Sequence, residues 1–309
     1  GRKQDKRDEQ GMRQQWFLLA GKANGAAYPQ PQQLTPLYPP ADCFWADPFL
    51  WSKDGRYFIF FEDFPYATWR GIISVIEIDE QGKQISEPRP VLEEAYHLSY
   101  PFLFEYDGQL YMMPEKCTQK RVDIYRCDEF PHRWSQVSTL IDNLKIVDST
   151  LFEHDGKWWL FAAAKQGRVR INESLFAFYA DSPLSNTWTP HPLNPLVRDL
   201  TCGRPAGRIV RHSQGQLLRP AQDCLRRYGY GVHLQEITQL TTTAYQEQTV
   251  WSGLAPEINQ TWRAMHHLDQ HTGMIVMDAQ RILPITESAV WPHSRRLLPL
   301  YYRRVSGFV

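Results

Sequence analysis

Asp47-Pro-Phe-Leu-Trp-Ser-Lys-Asp54-Gly55 decides the fold, because the chain repeats its form as Tyr100-Pro-Phe-Leu-Phe-Glu-Tyr-Asp107-Gly108 and Asp148-Ser-Thr-Leu-Phe-Glu-His-Asp155-Gly156. In each copy the first residue stands seven before the Asp of Asp-Gly. A hydrophobic or aromatic run follows: Arg56 to Phe61, Gln109 to Met113, Lys157 to Phe161. Asp-Gly between two such runs signals a β-hairpin, because both turn residues tolerate positive φ. The Asp-Gly steps lie 53 and 48 residues apart. A hairpin recurring at a period of ~50 residues predicts a propeller with one blade per repeat.

A degenerate fourth copy begins at Arg204-Pro-Ala-Gly-Arg-Ile-Val, turns around Ser213-Gln214-Gly215 and returns over Gln216 to Gln222. A weaker fifth runs Trp262-Arg-Ala-Met-His-His-Leu, turns near Thr272-Gly273 and returns as Met274-Ile-Val-Met-Asp278. Five blades of four short strands need roughly 250 residues, which positions 40–300 supply. The expected fold class is all-β: a five-bladed β-propeller of four-stranded antiparallel blades. Residues 1–40 read as a polar, Pro-rich lead-in and 41–309 as one propeller domain. Either Trp16-Phe-Leu-Leu-Ala20 or Leu297 to Tyr302 would complete the last blade. The first fifteen residues read as a solvated arm.

With 34 basic and 34 acidic residues the net charge is zero, which argues against nucleic-acid or membrane-surface binding. No apolar run is long enough to span a membrane. No secretory signal is visible. The five cysteines lack a disulfide or zinc pattern, so free thiols in a reducing, cytoplasmic compartment are expected. The exception is Cys202 and Cys224, which face each other if the fourth hairpin keeps its register. Aromatics make up 13% of the chain with eleven Trp, most of them blade packing. No phosphate-binding loop or dinucleotide fingerprint is present. Adjacent His266 and His267 point to opposite strand faces and cannot chelate one ion together. No cofactor and no metal site is expected, a structural Ca²⁺ held by channel carboxylates being the one alternative weighed.

A two-residue Asp-Gly turn would pair Asp47 with Glu62, Tyr100 with Glu115 and Asp148 with Ala163; alignment on Gly215 pairs Arg204 with Gln222. Opposed residues share a face with Cβ atoms ~5 Å apart. First strands of propeller blades line the channel, so Asp47, Tyr100, Asp148 and Arg204 should converge at one mouth. Glu62, Glu115 and Gln222, with its neighbour Asp223, lie one strand outward, and His266 or His267 comes from the fifth blade. Singly, each has a duller reading: an Asp before Pro or Ser caps a turn, Tyr100 packs in a core, Arg204 pairs with Asp148. Together they predict a polar pocket, costly to desolvate without a polar ligand.

These segments resemble the five-bladed propeller glycosidases of glycoside hydrolase family 43 and the related families 32 and 68. The likeness lies in Ala46-Asp47-Pro48, in Val147-Asp148-Ser-Thr-Leu-Phe152 with Asp155-Gly-Lys-Trp-Trp-Leu160, and in Leu175-Phe-Ala-Phe-Tyr-Ala-Asp-Ser-Pro183 with Trp188-Thr-Pro-His191. The combination of Phe44-Trp-Ala-Asp-Pro48, His97-Leu-Ser-Tyr-Pro101, Arg204-Pro-Ala-Gly207 and Arg219-Pro-Ala-Gln-Asp-Cys-Leu-Arg-Arg-Tyr-Gly229 is similar to the propeller-like N-terminal region of plant glucosamine inositolphosphorylceramide transferases and to bacterial relatives. The family 43 resemblance implies Asp47 as general base and Asp148 as the residue tuning the acid. It places the acid itself at Arg204, which does not release its proton near neutral pH.

Three readings follow. In the first, a hydrolase, Asp47 activates water, Glu115 (or Glu62) protonates the leaving group, and Asp148 holds geometry. Arg204, with Arg208, Arg226 or Arg227, then binds an anionic group on the glycan. In the second, glycosyl transfer, Arg204 and His267 receive the charge of a good leaving group. In the third, the fold is a glycan-binding or scaffolding module without chemistry. The expected partner is an oligosaccharide or polysaccharide, and the chain is read as one module of a larger protein.

Overall fold

A computed structural model describes residues 11–284. Five antiparallel sheets form the blades of a propeller. Blade one holds Cys43–Lys53, Arg56–Pro65, Ile72–Ile78 and Arg89–Leu92, and blade two Ser99–Tyr106, Gln109–Glu115, Val122–Glu129 and Arg133–Ile141. Blade three runs from Ile146–His154 through Lys157–Ala164 and Ser174–Ala180 to Thr189–Pro190, with Val197–Arg198 alongside. Blade four is Val210–Arg211, Leu217–Asp223, Gly231–Leu240 and Tyr245–Leu254. Among the described residues no helix is long and apolar enough to cross a membrane.

The hairpins follow from their turn residues. Asp54-Gly55, Asp107-Gly108 and Asp155-Gly156 all adopt positive φ (53° and 72°, 51° and 75°, 49° and 75°), the condition for a tight two-residue turn. Thr272-Gly273 does the same in blade five at 47° and 79°. The flanking runs pack between blades. One core joins Phe49, Phe60, Phe102, Met113, Leu151 and Leu160 across the first three blades, and another joins Phe17, Leu218, Val232, Leu268 and Met277 across the last two.

Blade five is assembled from both ends of the described chain. Leu268–His271 and Met274–Pro284 are followed in the sheet by Met12–Lys22 and Thr35–Leu37. Met12–Lys22 pairs along its whole length with the 274–284 strand, from Met12 opposite Pro284 to Lys22 opposite Met274. The run Trp16–Ala20 therefore closes the ring; Leu297 to Tyr302 lies outside the described residues. Met12–Gln15 is strand rather than solvated arm, with Gln14 and Gln15 buried. The expected fifth-blade strand starting at Trp262 is shorter: continuous pairing is limited to Leu268–His271, and before it only Ala264 bridges to Gln280.

The register departs from turn arithmetic at one recurrent place. Glu62 lies opposite Ala46, not Asp47; Glu115 opposite Ser99, not Tyr100; Ala163 opposite Val147, not Asp148. In each blade two residues of the first strand (Asp47-Pro48, Tyr100-Pro101, Asp148-Ser149) face one on the second. This is a β-bulge, which bends the strand and re-aims its side chain. Asp47, Tyr100 and Asp148 take left-handed φ of 52°, 43° and 56°, uncommon for residues with a Cβ and concentrated at functional positions. In blade four the Gln222 N–H donates to the Arg204 carbonyl at 2.8 Å, as the alignment expected. All five cysteines are free, so Cys202 and Cys224 form no bridge.

Candidate active site

The bulges deliver a ring of polar side chains to the channel mouth. In blades one and two the bulge frees a backbone N–H from the ladder, and a carboxylate of the preceding blade accepts it. The Asp47 N–H donates to Asp278 Oδ2 at 3.1 Å, and the Tyr100 N–H to Asp47 Oδ2 at 3.2 Å. The His266 N–H donates to Asp278 Oδ1 at 2.9 Å. Asp47 and Asp278 thus join neighbouring blades, each charged hydrogen bond contributing about 1.5–3 kcal/mol.

Around Asp47 the groups divide into two sets. The first contains Asp47, Glu62, His266 and Asp278. Asp47 and Glu62 are hydrogen-bonded to each other. His266 Nδ1 lies 2.7 Å from Asp278 Oδ2, off the line of a well-aligned hydrogen bond and best described as an ion pair, and its Nε2 lies 3.8 Å from Asp47 Oδ1. The ring stacks on Trp16 with centroids 3.9 Å apart and planes at 18°. Burial would discharge His266, but the charge of Asp278, with that of Asp47, lifts it to about 9, so it stays cationic at neutral pH. Burial pushes Asp47 well above the usual carboxylate range, with Glu62 and Asp148 adding to the rise and His266 opposing it. Burial likewise raises Glu62 to about 8. Two buried carboxyls in contact cannot both ionise, so the dyad shares one proton near neutrality.

On the neighbouring wall stand His97, Ser99 and Glu115. The Gly71 N–H donates to His97 Nδ1 at 2.9 Å, which fixes the hydrogen on Nε2, 3.3 Å from Glu62 Oε1. Burial depresses His97, keeping it neutral. Position 71 must be glycine: a Cβ there would lie 2.4 Å from the Leu98 carbonyl and 2.7 Å from the His97 ring. Ser99 Oγ donates to Glu115 at 2.9 Å. Burial lifts Glu115 to about 7, against the pull of His97 and Arg204.

The second set is Asp148, Arg204 and Asn172. Arg204 Nε donates to Asp148 Oδ2 at 2.6 Å and Nη1 to Asn172 Oδ1 at 2.7 Å, and the guanidinium covers the Tyr228 ring at 5.1 Å. This is a closed ion pair, with side chains only 13% and 5% exposed.

The remaining expected residues lie elsewhere. Tyr100 is buried deeper in the channel, its hydroxyl 2.6 Å from Thr150 Oγ1. His267, expected to occupy the opposite face from His266, packs edge-on to Phe49 and Tyr100 and contacts the Pro48 carbonyl through Nε2 at 2.8 Å; burial drives it down to about 3. Arg208 pairs with Asp269 at 2.8 Å and lies over Phe102 at 4.7 Å. Below the mouth, then, the channel is filled. Gln222 Nε2 donates to the Pro205 carbonyl at 3.1 Å, and Asp223 holds His233 at 2.9 Å. Sequence reasoning missed Asp278, His97, Trp16, Ser99, Asn172 and Tyr228. Asp278 had a usable signal, a carboxylate in the otherwise apolar run Met274–Ala279.

Asp47, His266 and Asp278 each present a donor atom within 4.8 Å of the others, a metal-compatible grouping among the described residues. Both Asp278 oxygens already accept backbone N–H groups, and one also faces the imidazole.

The sequence model of the family described as "Glucosamine inositolphosphorylceramide transferase 1, N-terminal" matches residues 37–279. The chain belongs to this family. Among its relatives, a glucosamine inositolphosphorylceramide transferase 1 of Oryza sativa subsp. japonica is 36% identical over 283 residues, covering 85% of this chain and 38% of the relative. That of Arabidopsis thaliana is 33% identical over 233 residues, covering 73% and 30%. This member of the family therefore spans little more than a third of the curated relatives it matches. Solved structures share the fold: an exo-β-1,3-galactanase from Clostridium thermocellum at TM-score 0.50 and 12% identity, covering 75% of this chain and 52% of that one, and a family 43 β-1,3-galactosidase at 0.50 and 11%, covering 68% and 77%. The chain thus shares the fold of these propellers.

Proposed function

We propose that the channel mouth cleaves a glycosidic bond by direct attack of water. The observation that carries this reading is the proton-sharing Asp47–Glu62 dyad on one wall with Glu115, raised to about 7, on the next. The ionised half of the dyad accepts the proton of the attacking water. Glu115, half protonated at neutral pH, donates to the leaving oxygen; an acid and a base on opposite sides of the bond are what an inverting reaction requires. His266 stays charged beside Asp47 and holds it toward the carboxylate form.

A second reading has its own support. Arg204 stands where the resemblance to family 43 enzymes places the acid and does not release its proton near neutral pH, which favours a glycan-binding module without chemistry. The relatives are named as transferases, so a sugar hydroxyl in place of water is the transfer variant of the first reading.

The test is turnover of a panel of aryl glycosides and oligosaccharides, with and without added sugar acceptors, by the wild-type chain, Asp47→Asn and Glu115→Gln. Each variant should lose about 10²–10⁴-fold in rate, and Glu115→Gln should remove the alkaline limb of the pH profile. Binding of a glycan with no turnover by the wild-type chain establishes the second reading instead.

A further inference from the structure

We infer that the rim loop of blade four, Leu225-Arg226-Arg227-Tyr228, is a subsite for a sugar that carries an oxyanion, a carboxylate or a phosphate. The inference rests on the glycan reading of the mouth but not on catalysis there.

Of the four arginines that sequence reasoning offered to an anion, Arg204 and Arg208 are engaged by Asp148 and Asp269, which leaves Arg226 and Arg227. Arg226 and Arg227 are exposed, and no ion-pair partner holds either among the described residues. Arg226 donates only to the Tyr230 hydroxyl, at 3.3 Å. Both guanidinium groups lie over the Tyr230 ring, at 5.4 and 5.3 Å from its centre. Two guanidinium groups near one ring, neither answered by a carboxylate among the described residues, gain from an anion, and the planar fork of Arg suits a carboxylate or phosphate.

Tyr228 supplies the platform. Its ring stands edge-on to Trp16 and to His266, with centroids 6.5 and 5.3 Å away, and Arg204 covers it at 5.1 Å. It nevertheless remains 44% exposed. An exposed aromatic face beside a polar cluster is suited to the apolar face of a pyranose.

The loop is anchored at both ends, so these groups are presented in a fixed arrangement, which lowers the ordering cost of binding. At its start Asp223 accepts the Leu225 N–H at 3.0 Å and the His233 ring at 2.9 Å, and His233 reaches Ser252 Oγ at 2.8 Å. At its end Gly229, at φ 65°, lies so close that a Cβ would meet Trp16 at 3.0 Å and His266 at 3.1 Å, and its carbonyl accepts the Met265 N–H at 2.7 Å.

The test is titration of the whole chain with glucose, glucuronic acid, glucose 6-phosphate and inorganic phosphate, followed by NMR shifts of the arginine side chains and Tyr228. The two anionic sugars should bind at least tenfold more tightly than glucose, with the preference falling as salt rises. Arg226→Ala/Arg227→Ala should abolish the preference, and Tyr228→Ala should weaken every sugar. Equal affinity for glucose and the anionic sugars, or an unchanged preference in the double variant, overturns the proposal. So does binding of phosphate alone as tight as that of glucose 6-phosphate. Anionic preference in a chain with no turnover leaves this subsite standing while the catalytic reading falls; turnover without the preference does the reverse.

Discussion

Blades one and three begin with the same device, a bulged aspartate at left-handed φ, yet the two aspartates meet opposite circumstances. Asp47 faces Glu62 and a charged His266, so its proton is contested. Asp148 is paired with Arg204, whose guanidinium Asn172 holds in turn. One repeat position therefore yields a labile centre on one side of the mouth and a settled ion pair on the other. The backbone of the repeat fixes where a side chain points, and the neighbouring blade decides what it can do.

Removing one partner from each side should expose the contrast most strongly. Asp278→Asn leaves His266 buried without its ion-pair partner, and Arg204→Ala strands Asp148. Each should cost about 3–5 kcal/mol, the usual penalty for an uncompensated buried charge, measured by urea unfolding at pH 7. The two should part company in NMR of His266: its titration should fall from about 9 only in Asp278→Asn. A His266 pKa that stays near 9 without Asp278 would break the comparison.

A smaller effect should come from the wall between the two sets. Gly71→Ala forces the His97 ring or the Leu98 carbonyl to move, at about 1–3 kcal/mol by overpacking. It should free the His97 tautomer, seen in imidazole ¹⁵N shifts, while leaving the Asp148–Arg204 side untouched.

The gentlest test is pH. Glu62, Glu115 and His266 all have folded pKa values above their unfolded ones, about 8, 7 and 9 against 4.5, 4.5 and 6.5. The folded state then binds more protons than the unfolded chain between these values, so stability falls as pH rises. His266 contributes fully below about 6.5 and loses its contribution as pH passes about 9; the cost of the two glutamates builds from about 4.5 upward and is complete once pH passes 7 to 8. Tm should decline from pH 5 to pH 9, and Glu62→Gln with Glu115→Gln should flatten the decline. A flat profile in the wild-type chain would mean that the acidic side is as settled as the other.

The Asp-Gly turns made the blades legible, because their conformational demand is local and few residues meet it. The convergence of Asp47, Glu62, Asp148 and Arg204 was legible too, since it follows from circular repetition. The one-residue shift at Asp47-Pro48, Tyr100-Pro101 and Asp148-Ser149 was not, because a bulge leaves no unique mark on residue type. His97 and Trp16 were hidden for another reason. Their roles depend on contacts from Gly71 and His266 that only tertiary packing supplies.

Trp16 belongs to the strand that latches the ring, and it is also the surface on which His266 lies flat. During synthesis the segment carrying Trp16 precedes Met274–Pro284 by some 260 residues and must wait for it before it finds its place. Until then the centre lacks one of its walls. Met274–Pro284 also brings Asp278, the partner of His266, so closing the circle assembles the two faces of that imidazole together.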